Sequence, residues 1–264
     1  MNKMPYIAII VEGSGREPIV INNMLETYFK RAMFKVINLP AEQNIYMLWQ
    51  QLKKDDFETD IIEVLREYSK IAEKELNGLE RDDFSEIYLF FDYDNHQNNL
   101  PENVNPNDVI DEMLQAFNNE NDLGKLYINY PMIEALRDLE PNYCSAKTSC
   151  FYKRQLLTSY KNVTAQNNIT FGQLGQYEIT HWKMIIDGFA MRVSCLFEYL
   201  EVMSYEQYKQ VVSPITIYNQ QRRYTSKCFV LSAIPQFIVD YFGKSIWSSH
   251  VKHKKIHPLV CNKQ

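Results

Sequence analysis

Short apolar runs, each leading into a carboxylate, punctuate the first half of the chain. Tyr6-Ile7-Ala8-Ile9-Ile10-Val11 runs into Glu12-Gly13, and Ile87-Tyr88-Leu89-Phe90-Phe91 runs into Asp92-Tyr93-Asp94. Leu126 to Tyr130 is followed by Pro131 and then by Glu134. Unbroken apolar runs of strand length fit strands covered on both faces, as in a parallel sheet. Phe34 to Leu39, stopped by Pro40, predicts a further strand. Between these runs the spacing turns helical. Ile21, Met24, Leu25 and Tyr28 recur on one face after Pro18, a residue suited to a first turn. Helices are expected at 43–53 and 107–118. A single long amphipathic helix is expected at about 57–79, with Ile61, Val64, Leu65, Tyr68, Ala72, Leu76 and Leu79 in its stripe. The Asn-rich stretch from His96 to Asn107 is a loop. Alternating strands and helices predict an α/β fold, a mainly parallel sheet flanked by helices.

From about residue 141 the pattern changes. Helices are expected from Trp182 to Leu200, from Phe229 to Tyr241, and over 204–223 with a break or kink at Pro214. Domain limits of 1–140 and 141–264 follow, the second domain mainly helical. The last stretch, His250 to Gln264, is basic and is expected to be poorly ordered.

Charge sharpens this division. Residues 1–140 carry 13 Lys and Arg against 27 Asp and Glu; residues 141–264 carry 15 against 6. The overall charge of −5 hides an acidic half and a basic half. A basic half suits a polyanion such as nucleic acid. No apolar run approaches the ~20 residues of a membrane span, and no secretory signal pattern opens the chain. Five cysteines without a Cys-x-x-Cys pair read as free thiols of a reducing cytoplasm.

Carboxylates at the C-terminal ends of parallel strands converge on the rim where open α/β sheets place their sites. Such oxygens repel one another unless a cation sits between them, and hard oxygen ligands suit Mg²⁺ or Mn²⁺. Competing phosphate motifs fail. Gly13-Ser14-Gly15 lacks the third glycine of a dinucleotide fingerprint, and no Gly-Lys-Ser/Thr follows these glycines in P-loop register, so they form no P-loop for ATP. His96 reads as a solvated loop residue. His250, His253 and His257 stand among lysines, where phosphate contact is favoured over a transition metal. Arg222 and Arg223 beside Tyr218 and Tyr224, with Lys252, Lys254 and Lys255, are the candidate nucleic-acid contacts. A solvated helical face is an equal alternative for the two arginines.

Glu-Gly after the first strand, Asp-x-Asp after a later one and a further acid beyond resemble a Toprim domain, the metal-binding module of topoisomerases, primases and OLD-family nucleases. The pattern is most similar to Toprim-like proteins of bacterial antiphage defence: OLD-like and RloB-like nucleases and the PARIS-type Toprim effector. Pro131-Met132-Ile133-Glu134 resembles a Pro-x-x-Glu of that group, and Glu17 matches a second acid after the Glu-Gly. The resemblance covers residues 6–140, with the acidic helix at 57–79 as an insertion. It implies a Mg²⁺- or Mn²⁺-dependent nuclease, a hydrolase of DNA, RNA or tRNA phosphodiesters acting in abortive-infection defence. Asp92 and Asp94 would hold the metal, Glu134 or Glu17 would complete its shell, and Glu12 would serve as ligand or general base. A separately encoded ATPase partner, or a homodimer, is implied too. The rival expectation is a non-catalytic nucleic-acid-binding or regulatory subunit on the same scaffold; a small-molecule phosphohydrolase is a third.

Overall fold

The computed structural model describes residues 5–12, 15–29, 33–39, 45–54, 56–68, 70–93, 100, 103–139, 150–167 and 171–256. The chain divides into two compact units, Met1–Tyr127 and Ile128–Gln264. The division falls within a strand, whereas the change in composition comes at about residue 141.

In the first unit the apolar runs become strands β1 (Tyr6–Glu12), β2 (Phe34–Leu39) and β3 (Phe84–Asp92). They are joined by the short β4 (Asn118–Asn119) and by β5 (Gly124–Asn129), whose last two residues belong to the second unit. Strand order in this mainly parallel five-stranded sheet is β2-β1-β3-β5-β4. β1 pairs in parallel with β2 (Ile7↔Phe34 to Glu12↔Leu39) and with β3 (Ile7↔Glu86 to Val11↔Phe90). Ile7 to Val11 and Ile87 to Phe91 are buried without alternation, because both faces of a parallel sheet are covered. β4 and β5 form an antiparallel edge.

The covering helices are α1 (Arg16–Tyr28), α2 (Ile45–Lys54), α3 (Ile61–Tyr68), α4 (Lys70–Glu75) and α5 (Pro106–Ala116). α1 buries Val20, Ile21, Met24 and Leu25. The helix expected over 57–79 is shorter at both ends. Asp56 and Phe57 take positive φ (52° and 64°), so the chain turns there, and Asp60 Oδ1 then accepts from Ile62 N at 2.8 Å and Glu63 N at 3.0 Å. That cap starts α3 at Ile61. Helical residues end at Glu75, and Ser69 lies outside the described residues. Asn105 caps α5, with Pro106 in its first turn.

The second unit contains, among the described residues, helices α6 (Leu157–Asn167), α7 (Ile179–Leu196), α8 (Tyr205–Val211), α9 (Pro214–Gln221), α10 (Ala233–Phe242) and α11 (Lys244–His250). It also holds an antiparallel ribbon of β6 (Phe151–Lys153) and β7 (Lys227–Phe229). The helical stretch over 204–223 breaks at Pro214, as expected: Pro214 opens α9 at its first position, behind a Ser213 cap. The helix expected from Phe229 begins later, because Phe229 belongs to β7 and Ser232 caps α10. Asn129 Oδ1 accepts from Ser232 Oγ (3.1 Å) and Ala233 N (3.0 Å), fixing that helix start. α7 passes so close to Leu139 that a methyl at Gly188 would sit 1.7 Å from the Leu139 carbonyl oxygen.

The basic stretch from residue 250 is held down as far as Ile256, against expectation. Asp187 is buried on α7. It accepts from Lys252 N at 2.8 Å and from Lys254 Nζ at 2.7 Å, and the Lys255 backbone pairs antiparallel with that of Glu201. A buried carboxylate needs such partners, and the tail supplies them.

Candidate active site

The crossovers leaving β1 and β3 run in opposite directions. β1 leads through α1 to β2 on one side, and β3 leads through α5 to β4 and β5 on the other. The carboxyl ends of β1 and β3 therefore flank the topological switch point, where open α/β sheets bind their ligands. Glu12 is the last residue of β1 and Asp92 the last of β3. Both are half-buried. The register sets Val11 beside Phe90, so Asp92 extends one residue beyond the level of Glu12. Side chains alternate along a strand, so within the pleat Glu12 shares a face with Phe91, and Asp92 shares one with Phe90. Tyr93 turns inward and is buried, its hydroxyl 3.3 Å from Asn107 Oδ1 on α5.

Glu17 stands in the first turn of α1, half-buried, directly after the same strand end. A carboxylate there also meets the favourable end of the helix dipole. Asp94, Gly13 and His96 lie outside the described residues. Among the described residues, no group of three or more His, Cys, Asp or Glu is placed to share a metal ion. The described carboxylates at the switch point are Glu12, Asp92 and Glu17, with Glu12 and Asp92 on opposite faces of the pleat. Mg²⁺ keeps several waters and commonly takes one or two protein carboxylates plus substrate phosphates, so one strand-end acid is enough to begin such a site.

Glu134 belongs to the second unit. It is 2% exposed in a short 3-10 turn over Ile133–Asp138, with Lys161 Nζ 3.7 Å from its Oε1. Around that turn lies a buried polar cluster without a sequence motif. Asp138 accepts from Tyr160 Oη at 2.6 Å and Thr164 Oγ1 at 2.7 Å, and Arg192 donates to the Val230 carbonyl at 2.7 Å. Burial, reinforced by the Asp138 charge, pushes the Tyr160 phenol well above its ordinary pKa. Tyr160 and Arg192 escape a reading of the sequence, because their partners, Asp138 and Val230, come from segments far apart in sequence.

The candidate nucleic-acid contacts divide. Arg222 and Arg223 are exposed, Arg222 lying over the Tyr218 ring at 5.6 Å and Arg223 reaching Glu198 at 3.2 Å. Lys252 and Lys255 are exposed, whereas the ammonium of Lys254 is engaged by Asp187. Of the described cysteines, Cys150, Cys195 and Cys228 are buried and outside disulfides, and burial pushes Cys228 up to about 12, so it packs rather than reacts. An open groove of about 560 Å³ in the second unit is lined by Glu198, Tyr199, Glu201 and His253 among others. No described helix is long and apolar enough to cross a membrane. Comparison with protein-family models, curated proteins and solved structures finds no match to this chain.

Proposed function

We propose that the first unit is a Toprim-like domain and that the protein hydrolyses nucleic-acid phosphodiesters with Mg²⁺ or Mn²⁺. The observation that carries this reading is the placement of Glu12 and Asp92 at neighbouring strand ends across the switch point. Asp92, with Asp94 two positions on in sequence as a second ligand, would hold the ion. Glu12 would act as ligand or as the base that takes a proton from the attacking water. A bound divalent ion lowers the pKa of that water and offsets charge developing on the phosphate. Glu17 is the nearest further acid in sequence able to assist. The resemblance that suggests this chemistry also suggests an effector in antiphage defence, working with a separate ATPase or as a homodimer.

Incubation with single- and double-stranded DNA, RNA and tRNA in Mg²⁺ or Mn²⁺ tests the reading. Wild type should cleave at least one polymer. Glu12→Gln and Asp92→Asn should each lower the rate at least 100-fold, the scale of lost acid–base or electrostatic assistance, while thermal midpoints stay near wild type. Glu134→Gln, run alongside, assays the acid of the second unit. Cleavage that survives both strand-end substitutions would overturn the proposal. The non-catalytic alternative is a nucleic-acid-binding subunit on the same scaffold, which needs no metal. Calorimetry with Mn²⁺ separates the two, since this alternative requires no heat of binding that depends on Asp92.

A further inference from the structure

Two long stretches of the second unit contain no Asp or Glu: residues 141–177 and 207–239. Each carries four cations: Lys147, Lys153, Arg154 and Lys161 in one, Lys209, Arg222, Arg223 and Lys227 in the other. The fold pairs these stretches, because β6 comes from the first and β7 from the second. Lys153 and Lys227 are direct cross-strand partners. Two cations set opposite one another concentrate positive potential on this face of the ribbon, where an anion is attracted.

The neighbourhood is rigid and carries aromatic groups. The Arg154 guanidinium donates to the Tyr224 and Lys227 carbonyls at 3.1–3.3 Å, tying down the turn that leads into β7. Buried Gln221 pairs with both backbone groups of Phe229, at 2.7 and 3.0 Å, which anchors the end of α9 beside β7. Exposed Arg222 follows directly. Lys227 Nζ lies 3.9 Å from the Phe151 ring centre, and Tyr224 packs edge-on against Phe151 at 4.7 Å. Cations on a fixed frame with an interleaved, partly accessible tyrosine match the requirements of a single strand, whose phosphates take charge and whose bases stack.

We propose that the β6–β7 ribbon, with Arg222 at its flank, is a binding surface for the phosphate backbone of single-stranded nucleic acid. The choice of polymer rests on the proposed function, but binding is measured in chelator and so is separable from cleavage. Fluorescence anisotropy with labelled 20-mer dT and U strands in EDTA, at several salt concentrations, provides the test. Lys153→Gln with Lys227→Gln should lower the magnitude of the slope of log affinity against log salt by about 1.4. That change corresponds to roughly 25-fold weaker binding at 0.1 M salt for two lost phosphate contacts. Lys153→Arg with Lys227→Arg should retain binding, and Lys54→Gln on α2 should match wild type. Lys153→Gln alone, at an exposed position, gives half the slope change without disturbing the Phe151 contact. Unchanged affinity and slope in the double glutamine variant would overturn the proposal. So would a wild type that binds phosphatidylglycerol vesicles but neither oligonucleotide.

Discussion

Asp138 shows at the residue scale how the second unit makes room for charge in its interior. Its two oxygens take hydroxyl donors from one face of α6, Tyr160 and Thr164, one helical turn apart. Tyr160→Phe removes one donor and leaves the ring packing in place. Hydrogen bonds to charged groups contribute about 1.5–3 kcal/mol, so this substitution should cost about that much in urea unfolding. Thr164→Ser, which keeps its hydroxyl, should cost less than Tyr160→Phe. A Tyr160→Phe protein as stable as wild type would mean that Asp138 is satisfied without the phenol. None of this was legible in the sequence, where Asp138 and Tyr160 are separated by 22 positions. Glu12 and Asp92 were legible, because each directly ends an apolar run and strand ends need no tertiary information to be located.

Elements repeat that contrast. β1, β2 and β3 announce themselves through apolar runs, and α5 through a helical stretch expected from about residue 107, whereas Asn105 and Pro106, read as loop, cap and open it. β6 and β7 do not. Each has three residues and acquires its identity from a partner more than 70 positions away. α6 carries too weak an apolar stripe to stand out, and the start of α10 depends on Asn129, distant in sequence. Gly188 is a further instance: in sequence it is a weak spot within a helix, yet the fold needs it. α7 can approach the Leu139 carbonyl only without a side-chain carbon there. Gly188→Ala should therefore behave as overpacking against backbone. Such a change typically costs 1–3 kcal/mol, and here the obstructing atom belongs to the main chain and cannot rotate away. A loss of at least about 3 kcal/mol, or failure to accumulate folded protein, is expected. Gly78→Ala is a poor control because of its positive φ, whereas Gln210→Ala, at an exposed position of α8, is a suitable one. Equal stability of Gly188→Ala and Gln210→Ala would show that α7 can shift away.

For the whole molecule, buried and half-buried phenols shape the response to alkali. Tyr160, Tyr177 and Tyr208 in the second unit and Tyr28 in the first all have raised pKa values, with burial the leading cause in each. At Tyr208 the Asp240 carboxylate, 2.8 Å from the hydroxyl, adds to the effect. The sign is fixed by linkage. Above pH 10 the unfolded chain releases these protons and the folded chain keeps them, so the folded state binds more protons and loses stability as pH rises. Below pH 10 both states are protonated and the effect vanishes. Each fully buried phenol contributes a slope of about 1.4 kcal/mol per pH unit beyond its unfolded pKa. General charge repulsion also grows in alkali, since lysines lose their protons in an already anionic chain. Tyr208→Phe separates the two causes. It removes a phenol without altering the charge below pH 10, so it should flatten the fall of the urea midpoint between pH 10 and 11.5 relative to its own value at pH 8. Parallel curves for wild type and Tyr208→Phe would assign the alkaline loss to charge repulsion. A flattened curve would assign a measurable share to the phenol that Asp240 holds protonated.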